Sequence, residues 1–123
     1  MGSIRRILWV GLFALASCAS LESRAKSTLV GEWHYQDKIQ ACHYSFHKDG
    51  TFSGEVRFKG RVVSKFAGKW AIRGDRLLYL YTKDILGRIP PGATDSDQLL
   101  KVENDAFVIQ AADGSRRRYE RER

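Results

Sequence analysis

Apolar and polar residues alternate along the chain from residue 29 onward, in runs of about six to ten residues. Side chains of a strand point alternately to its two faces, so this pattern favours strands over helices, whose apolar residues recur every three or four positions. The pattern predicts about eight strands. Their expected ranges are 29–35, 42–47, 51–58, 61–73, 76–82, 98–103, 106–111 and 115–121.

Residues that favour tight turns separate most of these runs. The turn sequences are Lys48-Asp49-Gly50, Lys59-Gly60, Gly74-Asp75, Asn104-Asp105 and Asp113-Gly114. Gly, Asn and Asp tolerate the backbone angles of hairpin turns, so we expect strands that follow one another to pair antiparallel. In the long fourth run, Gly68 predicts a bulge.

One face of the predicted strands is apolar and contains many aromatic side chains. Its members include Tyr44, Phe46, Phe52, Val56, Phe58, Phe66, Trp70 and Ile72. A sheet with one apolar face removes its exposed edges most simply by closing on itself. The fold class is therefore predicted as all-β, an antiparallel up-and-down meander that forms a closed or half-open barrel, with a two-sheet sandwich as the second choice.

The first 17 residues have the three parts of an export signal. Arg5 and Arg6 precede an apolar stretch over residues 7–16, and small residues follow up to Ser17. A bilayer core of about 30 Å requires roughly 20 helical residues, so this stretch is too short to span it permanently. We predict a signal helix at residues 1–17 that is cleaved.

Cys18 follows this stretch in the sequence Leu15-Ala16-Ser17-Cys18, which resembles the bacterial lipobox. That resemblance implies a palmitate-bearing, lipid-anchored Cys18 and a tether over residues 18–28. Ala19 after the cysteine favours the outer membrane of a bacterial envelope, with the domain facing the periplasm. The alternative is cleavage by ordinary signal peptidase, which would release a soluble secreted protein.

The net charge and Cys42 limit which partners and which disulfide bonds we expect. Twenty-one basic and 14 acidic residues give a net charge of +7, and basic residues are frequent at the C-terminus. A terminal charge run is typical of a solvated strand, so we expect no nucleic-acid partner, and anionic lipid headgroups are the better candidate. With Cys18 acylated, Cys42 has no disulfide partner and is expected to be buried; without acylation, a Cys18–Cys42 bridge is the alternative.

Short motifs spread over the chain add a family resemblance. They are Leu29-Val30-Gly31-Glu32-Trp33, the hairpin from Phe46 to Phe52, the segment from Gly68 to Leu77 with a second G-x-W, and the end from Asp113 to Arg121. With these motifs the chain resembles bacterial lipocalin-like lipoproteins. The resemblance implies a lipocalin-like β domain over residues 29–123, with Arg121 packed against Trp33 as a structural brace.

Few residues suggest catalysis or metal binding. His43 and His47 share a predicted strand face but lie about 13 Å apart, too far for one ion. A neighbouring strand could place His34 beside one of them, but no acidic or thiol partner has a convincing spacing. We found no nucleophile motif, so the sequence predicts no metal site, no cofactor and no enzyme. Asp95 and Asp97 follow a loop and are expected to cap turns and start a strand, rather than to act as paired carboxylates for hydrolysis or calcium binding.

The predicted function is noncatalytic binding of a small hydrophobic ligand in an aromatic-lined cup. The candidate pocket residues are Trp33, Tyr44, Phe46, Phe52, Phe58, Phe66, Trp70, Tyr79 and Tyr81. The alternative is a solid core in a module that contacts another envelope protein through Leu78, Leu80 and the loop over residues 83–96. In either case a monomer is expected.

Overall fold

The computed structural model describes residues 21–123, which form a short helix followed by a closed eight-stranded barrel. Residues 21–29 are helical. The strands are β1 Gly31–Gln36, β2 Gln40–Phe46, β3 Thr51–Phe58, β4 Arg61–Arg73, β5 Arg76–Asp84, β6 Thr94–Val102, β7 Ala106–Gln110 and β8 Arg116–Arg121. Each strand pairs antiparallel with the next, and β8 pairs with β1. The predicted up-and-down barrel is confirmed, and the sandwich alternative is wrong.

The helix at residues 21–29 differs from the predicted tether. Leu21, Ala25 and Leu29 are four residues apart, a spacing that places them on one side of a helix. Leu29 is fully buried, and the Glu22 side chain accepts a hydrogen bond from the Gly74 backbone N–H. The helix therefore packs across one end of the barrel, which we call the helix end. No helix within residues 21–123 combines the length and the apolar character needed to cross a bilayer.

Strand β6 begins at Thr94, four residues earlier than the alternation predicts, and β5 extends to Asp84. Residues 94–98 are polar, but they pair with residues 76–80 of β5 in a regular ladder. Backbone pairing with an apolar neighbour therefore makes this polar segment a strand. The β5–β6 loop is correspondingly shorter and covers residues 85–93.

The predicted irregularity at Gly68 is present. The register between β4 and β5 shifts between Ala67 and Gly68. A Cβ atom at Gly68 would lie 2.0 Å from the Leu80 carbonyl oxygen, which is far inside van der Waals contact. Glycine is therefore required here because β5 approaches the backbone of β4 too closely for any side chain.

The core is densest toward the helix end. Its largest fully buried side chains are Trp33, Phe46, Phe52, Phe107, Leu29, Leu77 and Ile109. The Trp33 Nε1 group donates a hydrogen bond to the Leu29 carbonyl over 2.9 Å, and Trp70 Nε1 donates to the His47 carbonyl over 3.0 Å. At the opposite end, which we call the open end, lie the β1–β2, β3–β4 and β7–β8 turns and the β5–β6 loop.

Candidate functional site

Most of the predicted pocket residues form the core of the barrel. Trp33, Phe46, Phe52, Phe66, Trp70, Tyr79 and Tyr81 are buried. Their rings contact one another: the centroids of Phe46 and Trp70 are 4.9 Å apart, and those of Phe66 and Tyr81 are 5.3 Å apart. These distances are typical of packed aromatic pairs, so the side chains fill the barrel rather than line a deep cup.

Phe58 does not belong to this interior, and its assignment to the pocket is wrong. The side chain is 44% exposed. It is the last residue of β3, where it pairs with Gln40 and Arg61, and the strand has already passed beyond the core. Lys59 lies next to it, with its Nζ atom 5.6 Å from the ring centroid. Phe58 is thus an apolar residue on the rim of the open end.

A depression of about 280 Å³ remains at the open end. We call it the tyrosine cup. It is lined by Tyr44, Tyr79, Asp95, Asp97, Ala111, Ala112, Asp113, Arg117 and Tyr119. Of these nine residues, the sequence analysis assigned only Tyr44 and Tyr79 to a pocket. One small opening is therefore lined by residues that lie in, or directly after, five strands: β2, β5, β6, β7 and β8.

An acidic hydrogen-bonded pair lies in the wall of the cup. The Tyr79 hydroxyl donates to Asp97 Oδ2 over 3.1 Å. Burial raises the pKa of the Asp97 carboxyl, and the hydrogen bond from Tyr79, with a smaller contribution from Arg117, offsets this rise only in part. Burial also raises the pKa of the Tyr79 hydroxyl well above 10. The cup thus offers a carboxyl group that retains its proton more readily than an exposed one.

Aromatic rings form the rest of the wall. Tyr44 and Tyr119 meet edge to face with centroids 5.6 Å apart, and Tyr119 stacks on Phe107 at 4.8 Å. Burial raises the pKa of both tyrosine hydroxyls. Tyr44 is only partly buried, because its ring borders the opening. A ligand in the cup would therefore meet aromatic surface together with un-ionised hydroxyl groups.

The sequence analysis missed Asp97, Arg117 and Tyr119. Asp95 and Asp97 were expected to cap turns and start a strand. Both lie in the first part of β6, as the second half of this expectation has it, and Asp97 accepts a hydrogen bond from Tyr79 on the neighbouring strand. Their assignment to turns is wrong because the loop is shorter than predicted. The alternation of Asp95, Asp97 and Leu99 was the available signal, since it would place all three on one strand face.

Leu78 and Leu80 lie on the outside of the barrel, as predicted. They line a groove of about 570 Å³ with Lys69, Ala71, Thr94 and Ser96, which we call the outer groove. Leu80 is 38% exposed, and Ile85 and Leu86 in the following loop are exposed as well. The loop over residues 85–93 therefore leaves the outer groove accessible.

The remaining predicted residues have clear positions, with one exception. The Arg121 Cζ atom lies 4.2 Å from the centroid of the Trp33 ring, as the family resemblance implies. Cys42 is buried and has no disulfide partner among residues 21–123, and burial raises the pKa of its thiol. Cys18 and the predicted signal peptide lie outside the described residues.

A second group of polar side chains meets on the outer face near the C-terminus. Ligand atoms of Glu32, His43 and Glu122 lie within 4.8 Å of one another. His34 is the cross-strand neighbour of His43. The expectation that these histidines lack an acidic partner is therefore wrong, because strand pairing supplies carboxylates that sequence spacing does not reveal.

Comparison with known proteins identifies the fold alone. Neither the protein-family models nor the curated proteins gave a match. Among solved structures, a lipocalin-like protein from Bacteroides uniformis ATCC 8492 is similar, with a TM-score of 0.57 and 18% sequence identity. The match covers 77% of this chain and 99% of that protein. The barrel therefore has a lipocalin-like fold.

Proposed function

We propose that this protein is a noncatalytic lipoprotein of the bacterial cell envelope that binds a small ligand in the tyrosine cup. The ligand would have an aromatic or apolar ring and at least one hydrogen-bonding group. The observation that carries this proposal is the Tyr79–Asp97 pair, a partly buried polar pair that borders an opening walled by Tyr44 and Tyr119. Convergent polar groups in an aromatic depression are typical of small-molecule sites.

The size of the tyrosine cup limits the ligand. Its volume of about 280 Å³ lies just below the roughly 300–1,000 Å³ usual for ligand pockets. The packed rings of Phe46, Phe52 and Trp70 occupy the volume beneath it. A compound of one or two rings fits such a space, whereas a long acyl chain does not.

The protonation state of the tyrosine hydroxyls favours binding over catalysis. Burial raises the pKa values of the Tyr44, Tyr79 and Tyr119 hydroxyls, so they are un-ionised and poor nucleophiles near neutral pH. They remain good hydrogen-bond donors. The cup is suited to recognise a polar substituent on a ring.

The proposed lipid anchor is compatible with this arrangement. Acylated Cys18 would precede the helix at residues 21–29, which packs at the helix end. The tyrosine cup lies at the other end. In this orientation Arg24 and Lys26 of the helix would lie near anionic headgroups, and the cup would face the periplasm.

Amide NMR shifts test the proposal. Protein labelled with ¹⁵N is titrated with a small-molecule extract of the same bacterial envelope. We expect shifts at Asp97, Ala111 and Ala112, which border the cup. The variant Ala112→Trp should lose them, because the indole fills the opening from an exposed position. Shifts confined to the outer groove, or none at all, would contradict cup binding.

A second candidate function is docking of an envelope protein in the outer groove. The observation that favours it is the accessible apolar surface of Leu78 and Leu80. Crosslinking in intact cells should then capture a partner with the wild type and lose it with Leu78→Ser/Leu80→Ser. The double variant should leave the cup-bound ligand unchanged, so the two functions can be separated.

A further inference from the structure

We propose that Glu32, His43 and Glu122 form a Zn²⁺ site on the outer face of the barrel, with His34 beside them as a candidate fourth ligand. Glu32 and His34 belong to β1 and His43 to β2, while Glu122 directly follows β8. The site is separate from the tyrosine cup, since none of these residues lines it. Imidazole nitrogens and carboxylate oxygens are the ordinary protein ligands of Zn²⁺ besides cysteine.

Strand register brings the four residues together. His34 pairs directly with His43 across the β1–β2 hairpin. The Glu122 backbone N–H donates to the Glu32 carbonyl over 2.9 Å, so these two glutamates are neighbours on adjacent strands. Residues 32, 34 and 43 thereby share the outer face with residue 122, opposite the buried Trp33.

The distances match a shared metal ion. His43 Nε2 lies 3.0 Å from Glu122 Oε2 and 3.7 Å from Glu32 Oε1, and His34 Nδ1 lies 3.7 Å from Glu122 Oε1. Two ligands 2.0–2.1 Å from one tetrahedral Zn²⁺ are separated by about 3.3 Å. The separations of His43 from the two glutamates lie on both sides of this value, so small side-chain rotations suffice to bring these three ligands onto one ion. His34 contacts only Glu122 and would have to move toward the other two residues to join them.

The nitrogens that face the carboxylates are available for coordination. His34 Nδ1 and His43 Nε2 are both shielded from solvent, and although carboxylate oxygens lie 3.0–3.7 Å away, neither nitrogen makes a well-aligned hydrogen bond to any of residues 21–123. Buried polar atoms normally have a partner, and leaving one without is costly. A metal ion would satisfy both nitrogens at once.

Charge supports the same conclusion. Two carboxylates at directly neighbouring positions repel each other, and this repulsion destabilises the pairing of the two chain segments that carry them. Glu32 receives a hydrogen bond from the Ser45 hydroxyl over 3.0 Å, which does not neutralise it. A divalent cation between Glu32 and Glu122 would remove the repulsion.

The site also spans the shortest strand ladder of the barrel. Within the strands, β1 and β8 pair at Trp33–Arg121 and His34–Glu120, the shortest ladder among the described strands. Glu122 lies just beyond β8. A metal ion held by Glu122, β1 and β2 would fix the C-terminal strand to the start of the barrel. A depression of about 270 Å³ beside His34 and His43 leaves room for a water ligand.

Calorimetric titration with ZnCl₂ tests the proposal. The protein is purified with its N-terminal segment intact, without a polyhistidine tag, and is first treated with a chelator. We expect one Zn²⁺ per chain and a rise in Tm of about 5 °C at saturating metal, because Zn²⁺ would bind only the folded barrel. The variants His43→Ala and Glu122→Gln should each weaken binding by at least about tenfold.

His47→Ala is the matched control. This third histidine is exposed and its side chain is outside the cluster, so the variant should bind Zn²⁺ like the wild type. Thermal unfolding without metal verifies that each variant is folded. The proposal is overturned if wild-type protein takes up no Zn²⁺ at 100 µM, or if folded His43→Ala and Glu122→Gln bind it unchanged.

Discussion

The guanidinium of Arg121 stacks over the indole of Trp33, with Cζ 4.2 Å from the ring centroid. The same guanidinium donates hydrogen bonds to the carbonyls of Thr28, Val30 and Asn104. One side chain therefore connects the helix, the first strand, the β6–β7 turn and the last strand. This connection closes the helix end of the barrel.

Replacing Arg121 should destabilise the fold substantially. Arg121→Ala loses the cation–π contact and leaves three carbonyls without this donor, so we expect a loss of about 2–4 kcal/mol in the free energy of unfolding. Arg121→Lys should recover only part of the lost stability, because a single ammonium group cannot reproduce the several hydrogen bonds and the flat ring contact of the guanidinium. Urea denaturation measures both. The exposed Arg118→Ala, which loses only a surface contact to Glu120, should change stability by less than about 0.5 kcal/mol. Equal effects of Arg121→Ala and Arg118→Ala would contradict the brace.

Gly68→Ala should be at least as damaging. Its Cβ would meet the Leu80 carbonyl at 2.0 Å, so β4 and β5 would have to separate. We expect a loss of about 3 kcal/mol or more. Gly60→Ala is the control: no atom lies within 4 Å of its Cβ, and only its positive φ of 81° makes alanine unfavourable, by about 1 kcal/mol. Thermal unfolding of the two variants side by side measures the difference, and a near-neutral Gly68→Ala would be inconsistent with the close approach.

The two phenylalanines of β3 should respond differently to truncation. Phe52 is 2% exposed in the core, so Phe52→Ala should cost about 3–5 kcal/mol. Phe58 is 44% exposed at the rim, so Phe58→Ala should cost less than about 1 kcal/mol. Chemical denaturation measures both values. Similar costs would show that Phe58 is part of the core after all.

The raised pKa of Asp97 gives stability a specific pH dependence. The folded protein binds this proton more tightly than the unfolded chain, so Asp97 contributes stability at low pH that is lost as pH rises through its raised pKa. Asp97→Asn keeps an acceptor for Tyr79 and has no such proton, so its stability relative to wild type should increase from pH 4 to pH 7. Urea denaturation of both proteins at several pH values across this range measures the difference in their free energies of unfolding.

Asp49 at the helix end is the control of opposite sign. Hydrogen bonds from the Thr51 hydroxyl and backbone N–H lower the pKa of Asp49. It therefore contributes stability above its unfolded pKa that is lost as pH falls. Asp49→Asn should lose stability relative to wild type at pH 7 and approach it at low pH. The same trend in both variants would contradict the raised pKa assigned to the partly buried Asp97.

Lipid attachment is tested at Cys18. Cells that express the wild type should incorporate labelled palmitate into the protein and retain it in the membrane fraction. Cys18→Ser should abolish the label and release the domain. Unlabelled wild-type protein in the soluble fraction would instead indicate ordinary secretion.

The sequence predicted the barrel well where apolar alternation and turn residues agree. Strands β3 and β4 have the predicted bounds, because Gly50, Gly60 and Gly74 mark the turns on either side. The helix at residues 21–29 was missed because only Leu21, Ala25 and Leu29 carry its apolar pattern. The start of β6 was missed because its residues 94–98 are polar and owe their structure to pairing with β5.

The sites were harder to predict than the fold, because they depend on which strands are neighbours. Asp97 reaches Tyr79 across β5 and β6, and His34 faces His43 across β1 and β2. Neither relationship follows from spacing along the chain. Alternation does give the face of each residue, so the aromatic interior was found, but it does not show whether rings fill a barrel or line a cavity.

Native mass spectrometry of protein isolated from the envelope tests the central claim most directly. The wild type, Ala112→Trp and Leu80→Ser are purified in parallel under mild conditions. If the tyrosine cup binds a ligand, the wild type and Leu80→Ser should retain an additional small mass that Ala112→Trp lacks. Recovery of all three proteins without additional mass, or retention of the same mass by Ala112→Trp, would contradict it.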